Sequence, residues 1–176
     1  MLGRNGLTLL LLLLFVLEGS VIKWLLPLSW QEQVMISPHL TLVAIMLISI
    51  YDSRRIGLLY GLCFGLLHDI VYYGPMIGPY CLGMGIVSYL CGVPKFRYGI
   101  GLFISLFLIA AGNLLFEWIL YGIYQVTQVR PLDMHWAFLH LMLPSLFMNA
   151  LFALILYVPM RRLLDKLRKM EKSSKE

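Results

Sequence analysis

The stretch Gly57-Leu58-Leu59-Tyr60-Gly61-Leu62-Cys63-Phe64-Gly65-Leu66-Leu67-His68-Asp69 decides how this chain folds. Glycine recurs every four residues, and the next step of the ladder is an acid. Four residues advance an α-helix by about 400°, so each step drifts by only about 40° and Gly57, Gly61, Gly65 and Asp69 share one face. Small residues at that spacing let two helix backbones approach closely where lipid supplies no hydrophobic drive. The ladder predicts a membrane helix whose glycine face, with Asp69 on it, meets protein and not lipid.

The composition around this helix agrees. Of 176 residues, 60% are hydrophobic and 13% are charged, and the mean hydropathy is +0.83. Soluble domains hold roughly 45–50% apolar and about 25% charged residues, so the excess here faces lipid. At about 20 residues per crossing, six crossings use about 120 residues. That leaves no room for a Rossmann unit, a P-loop ATPase or a hydrolase domain, and the strings G-x-x-x-x-G-K-[ST], G-x-S-x-G and H-E-x-x-H are absent. The net charge of +5 then reads as a membrane address, not a nucleic-acid footprint. Cys63, Cys81 and Cys91 are odd in number and lie in or beside apolar runs, so they read as small hydrophobes and not as a disulfide framework.

Charge and proline punctuation divide the chain into six apolar spans. They cover about 7–26, 36–51, 56–73, 76–93, 98–124 and 135–160. The first resembles a signal peptide as far as Leu17, but no A-x-A-like site follows and apolar residues resume after Glu18-Gly19-Ser20, so it reads as a retained span. Positive charge marks the cytoplasmic side. With the N-terminus inside, Arg4, Arg54, Arg55, Lys95, Arg97 and the basic residues from Arg161 onward are cytoplasmic, against Lys23 and Arg130 outside. Both termini are therefore expected inside. Trp24, Trp30, Tyr72, Tyr73, Trp118, Tyr121, Tyr124 and Trp136 form the aromatic belt expected at the outer interface.

Ionisable groups within spans cost at least roughly 2.5–3.5 kcal/mol each on insertion scales, so each needs a partner. Glu18, His68, Asp69, Asn113, Glu117 and His140 all count out to the outer half of the bilayer, and Asn113 with Glu117 forms an i, i+4 pair on one face. They make either an outward-opening polar cavity or docking groove, or a set of interhelical hydrogen bonds, which is the plainer reading. A proton relay needs partners through the inner half as well, and there the sequence offers only Asn149. His39, His68, His135 and His140 show no closely spaced ligand pattern along one or two helices, which argues against a metal.

Pro144 lies within the sixth span, removes a donor from the His140 carbonyl and predicts a kink. Beyond the span, Leu163, Leu164, Leu167 and Met170 form one stripe among Arg161, Arg162, Lys166, Arg168 and Lys169. This predicts a short basic amphipathic helix over residues 161–176 that rests on an anionic membrane surface or meets a cytoplasmic partner.

Two strings carry a family resemblance. They are the ladder Gly57 to Asp69 with Gly74 and Gly78, and Leu143-Pro144-Ser145-Leu146-Phe147-Met148-Asn149 running into Tyr157-Val158-Pro159-Met160-Arg161-Arg162. In these, and in size, span layout and basic tail, the chain resembles the bacterial rod shape-determining MreD family. The resemblance implies an all-α integral membrane protein in the lateral wall-elongation machinery, the elongasome, without enzymatic activity and without a cofactor. The implied direct partner is MreC. The wider assembly holds MreB, the RodA glycosyltransferase and a class B penicillin-binding protein. Of the motif residues, Gly61, Gly65, Asp69, Pro144 and Asn149 carry over as packing or partner-docking determinants.

The family's fold is thought to be similar to the substrate-binding S component of energy-coupling factor vitamin transporters, which is the alternative reading. Against it, the leucine-rich first span lacks the small-xxx-small alanine pattern with which S components dock their transport module. The outer loops are also short.

Overall fold

Long runs of Leu, Ile, Met and Phe without internal breakers favour helix, and each apolar run of the sequence becomes one. The structure is a computed structural model that describes residues 2–25, 37–72, 76–93, 101–129 and 132–173. Its elements are α1 (Leu2–Leu25), α2 (Leu40–Tyr51), α3 (Arg54–Val71), α4 (Pro79–Cys91), α5 (Leu102–Val126), α6 (Met134–Ala137), a π-helical turn (Phe138–Met142) and α7 (Leu143–Ser173). No strand occurs among the described residues.

α2 is the axis of the bundle. Every residue from Leu40 to Ile50 is buried, and α2 touches α1, α3, α4, α5 and α7. A helix apolar on all sides belongs in an interior. Its 12 residues rise about 18 Å at 1.5 Å per residue, and α4 is almost as short. Two helices, Leu102–Val126 and Met134–Leu167, are long and apolar enough to cross a membrane.

The glycine ladder works as its spacing predicts. A methyl group placed on Gly61 would lie 2.7 Å from the Met84 carbonyl oxygen, and one on Gly65 would lie 2.5 Å from that of Tyr80. The α3 and α4 backbones are therefore in contact. On α4, Gly83 lies under the Phe116 ring and Gly85 under Leu62. Gly57 takes the Ser49 side chain of α2, whose hydroxyl donates to the Ser88 carbonyl. Gly78, just before α4, has φ of 124°, a conformation that only glycine adopts cheaply.

Pro144, within the continuous helical run Met134–Leu167, is accommodated by a widened turn just before it, where the Leu143 N–H reaches back five residues to the Phe138 carbonyl, the kind of local change that accompanies a proline inside a helix. Two expectations need correction. Residues 161–173 form no separate helix, since α7 runs through Pro159 to Ser173. Their apolar stripe is largely used inside the protein: Leu164 is buried in the core, with Leu163 and Leu167 packed against it. The stripe therefore turns inward, while Arg162 and Lys166 stay exposed. Finally, Asn149 belongs to the Glu18 end of the bundle and not the opposite half. α2 begins only at Leu40, so its first turn is sunk into the bundle to the depth of Asn149.

Several expectations concern residues outside the described ones, namely Trp30, Gly74, Tyr73, the Pro94 to Arg97 boundary and Arg130. The side chains of Arg4, Lys23, Trp24, Arg168, Lys169 and Met170 are likewise outside them.

Candidate functional site

Two buried carboxylates each cap a short helix that is not their own. An α-helix leaves its first N–H groups without intrahelical partners and carries partial positive charge at that end. Asp69, near the end of α3, accepts from the N–H groups of Gly78 (3.0 Å), Tyr80 (3.3 Å) and Cys81 (3.1 Å) at the start of α4. Glu18 of α1 does the same for α2, because its Oε2 accepts from the Thr41 N–H at 3.0 Å and the Thr41 hydroxyl at 2.7 Å.

α7 completes the cap of α2. Asn149 Oδ1 accepts from the His39 N–H at 2.8 Å, and Ser145 Oγ accepts from the Ser37 N–H at 3.1 Å. Ser145 and Asn149 lie four apart on one helical face. The Leu143–Asn149 string thus acts as a clasp on the segment that leads into α2.

Between the two capped ends lies a cluster of titratable groups. Glu18 Oε1 is 2.9 Å from His68 Nε2 and 3.5 Å from His39 Nδ1. The other nitrogen of His39 faces Glu117 Oε1 of α5 at 3.6 Å. Glu18 and His39 are each 2% exposed, Glu117 5% and His68 8%, so water screens none of these charges appreciably. Aromatic rings wall the cluster. The His68 ring stacks on Tyr80 with centroids 4.7 Å apart and planes within 4°, and Phe15 meets it edge-on at 5.5 Å. Phe116 and Tyr80 meet the His39 ring edge-on at 5.0 and 5.8 Å. Both imidazoles are held in fixed planes.

Chemically, the arrangement can share protons between carboxylates and imidazoles or hold a cation. Glu18, His39 and His68 each offer one ligand atom, all within 4.8 Å of one another. They come from α1, the segment before α2, and α3, a meeting that spacing along the chain does not reveal.

The structure joins Glu18, His68 and Glu117 of the polar residues read from the sequence, with Asp69 in the adjacent cap. It does not join two others. Asn113 is buried but donates to the Ile109 carbonyl of its own helix at 2.9 Å, and His140 stacks on Trp136 with centroids 5.1 Å apart. Thr41 and Tyr80 carry no signal of their own in the sequence. His39, weighed there only as one of four scattered histidines, has a further signal in its place between Pro38 and the continuous apolar run of α2, where a helix start needs capping.

The opposite end of the bundle carries a second polar group. The Tyr51 hydroxyl lies 2.6 Å from Ser105 Oγ and 3.3 Å from the Tyr157 hydroxyl. Arg161 donates to the Tyr157 hydroxyl at 2.6 Å and its guanidinium lies 5.8 Å from the Tyr51 ring centre. Arg54 sits 5.3 Å over the Tyr89 ring. Basic side chains and tyrosines therefore close this end, as carboxylates and imidazoles close the other.

No curated protein and no solved structure matches the chain. A match to a protein family does exist, and it spans both the glycine ladder with its capping acid and the α7 clasp: over residues 3–167 the chain belongs to the family of rod shape-determining protein MreD.

Proposed function

We propose that this chain is a non-enzymatic membrane scaffold of the bacterial wall-elongation machinery that regulates lateral peptidoglycan synthesis by binding MreC. The rod shape-determining role comes with the family. The observation that carries the membrane scaffold reading is the distribution of apolar surface. Phe103 is 84% exposed, Phe107 72% and Phe147 68%, while Glu18, Asn113, Glu117 and Asn149 are buried. In water such a surface is an aggregation hazard. In lipid it is the expected one, and it offers packing surface to a partner's transmembrane helix.

In this reading residues 1–160 cross the plasma membrane six times with both termini in the cytoplasm, and residues 161–176 form the basic cytoplasmic end. Gly57, Gly61, Gly65, Asp69, Asn113, Glu117, Pro144 and Asn149 serve as internal packing determinants that shape the scaffold. Arg161, Arg162, Lys166, Arg168 and Lys169 face anionic headgroups or MreB. RodA and a class B penicillin-binding protein belong to the same assembly.

The test is purification of a tagged copy from its native membrane in mild detergent, followed by mass spectrometry of what accompanies it. Recovery of MreC with RodA and a transpeptidase supports the scaffold. Recovery of cytoplasmic ATPases and a bound vitamin, without MreC, replaces it with a transporter S component.

A further inference from the structure

We infer that Glu18, His39 and His68 form a binding site for one divalent transition-metal ion of the zinc type, with Glu117 supporting His39 from behind. The inference does not depend on the scaffold reading, since it rests on the cluster alone.

Geometry comes first. Zinc bonds to imidazole nitrogen and carboxylate oxygen of about 2.0–2.1 Å place the ligands of a tetrahedral site about 3.3 Å from one another. Glu18 Oε1 lies 2.9 Å from His68 Nε2 and 3.5 Å from His39 Nδ1, values that bracket this spacing. All three residues can bring a ligand atom within 4.8 Å of the others, so small side-chain adjustments close the site.

The surroundings prepare each ligand. Thr41 holds Glu18 Oε2 through its N–H and its hydroxyl, which leaves Oε1 directed at the two imidazoles. With Nδ1 of His39 on the metal, Nε2 carries the proton and faces Glu117 Oε1 at 3.6 Å. A carboxylate behind a metal-bound imidazole fixes its tautomer and raises its basicity. The stacked Tyr80 ring sets the plane of His68.

Unused polar atoms provide the independent sign. Both ring nitrogens of His39 and Glu117 Oε1 are buried without a hydrogen bond of proper geometry. A cation there would meet two carboxyl groups and two imidazoles in an apolar interior, where polar groups need a partner. The donor set selects the metal class: two nitrogens and one oxygen suit zinc or cobalt, whereas magnesium and calcium prefer oxygen alone and copper(I) prefers thiolate. None of the cysteines contributes a ligand atom to this group.

The test uses the full chain in mild detergent, with any polyhistidine tag removed and no chelator present. Elemental analysis should find about one zinc per chain. After stripping with EDTA, titration with Co2+ should give ligand-field bands of tetrahedral strength that saturate at one equivalent. His68→Gln and Glu18→Gln should abolish those bands. Glu117→Gln should keep them and weaken Co2+ binding by about 10–100-fold, as loss of a supporting carboxylate does. Stripped unmodified protein that takes up no stoichiometric Zn2+ or Co2+ overturns the inference, and this holds even where a variant fails to fold. An unchanged Co2+ spectrum in folded His68→Gln protein overturns it equally.

Discussion

Asn149 holds the backbone of His39 from 110 positions away in the chain, accepting its N–H at 2.8 Å. An amide on α7 thereby sets where α2 begins, and α2 is the helix on which the bundle is built. Asn149→Ala should leave that buried N–H unmatched, at a cost of about 1–2 kcal/mol. Asn149→Asp keeps an acceptor but buries an ionisable group at a fully buried position, which costs at least roughly 2.5–3.5 kcal/mol within a span, so it should be no more stable than Asn149→Ala. Thermal midpoints of the two variants in one detergent check the order.

Asp69 receives three N–H groups at the head of α4. Substitution by Ala should cost about 1–3 kcal/mol, because buried donors lose their acceptor. Asp69→Asn retains one oxygen and loses the charge that favours a helix N-terminus, so it should fall between Ala and the unmodified protein. Hydrogen exchange should show the loss concentrated in the first turn of α4.

Glycines on the same fold should respond with opposite signs. Gly65→Ala forces a methyl against the Tyr80 carbonyl and must separate α3 from α4, with an expected loss of about 1–3 kcal/mol. Gly122, inside α5, has nothing within 4 Å of an added methyl. Gly122→Ala should be neutral or should stabilise by up to about 1 kcal/mol through helix propensity. A paired unfolding measurement separates close approach from mere helix preference.

Truncation after Arg162 removes Leu164, which is 3% exposed in the core, together with Leu163 and Leu167 that pack on it. Loss of folded protein is therefore expected, beyond any loss of cytoplasmic contacts. Leu164→Ala alone should cost about 2–5 kcal/mol. Lys166→Glu, at an exposed position, should leave the thermal midpoint within about 0.5 kcal/mol equivalent. If MreB recruitment and cell width change with Lys166→Glu but stability does not, the basic surface acts outside the fold.

Much of the architecture could be read from the chain because its signals are local. Apolar runs locate helices, and the four-residue glycine spacing places Asp69 on the packed face. The cluster was harder to read because its members are distant in sequence: His39 precedes a helix, Glu18 ends a leucine run and Glu117 lies on α5. Only the fold brings them together. Depth was misjudged for Asn149 because counting along a span assumes that neighbouring helices begin at the same level, and α2 begins late. For Pro144 the disturbance was legible but not its form: a proline prohibits one hydrogen bond without dictating how the backbone compensates, and here a five-residue reach does so.

The clasp between α7 and the start of α2 has a consequence for biosynthesis. Ribosomes deliver α2 long before Ser145 and Asn149 exist, so the segment leading into the central helix, itself only 12 residues long, must wait for the last helix before the N–H groups of Ser37 and His39 are matched. A nascent chain lacking α7 has Glu18 to hold the head of α2 but neither of the other two acceptors. The segment that leads into α2 is thus fastened only once α7 has been made.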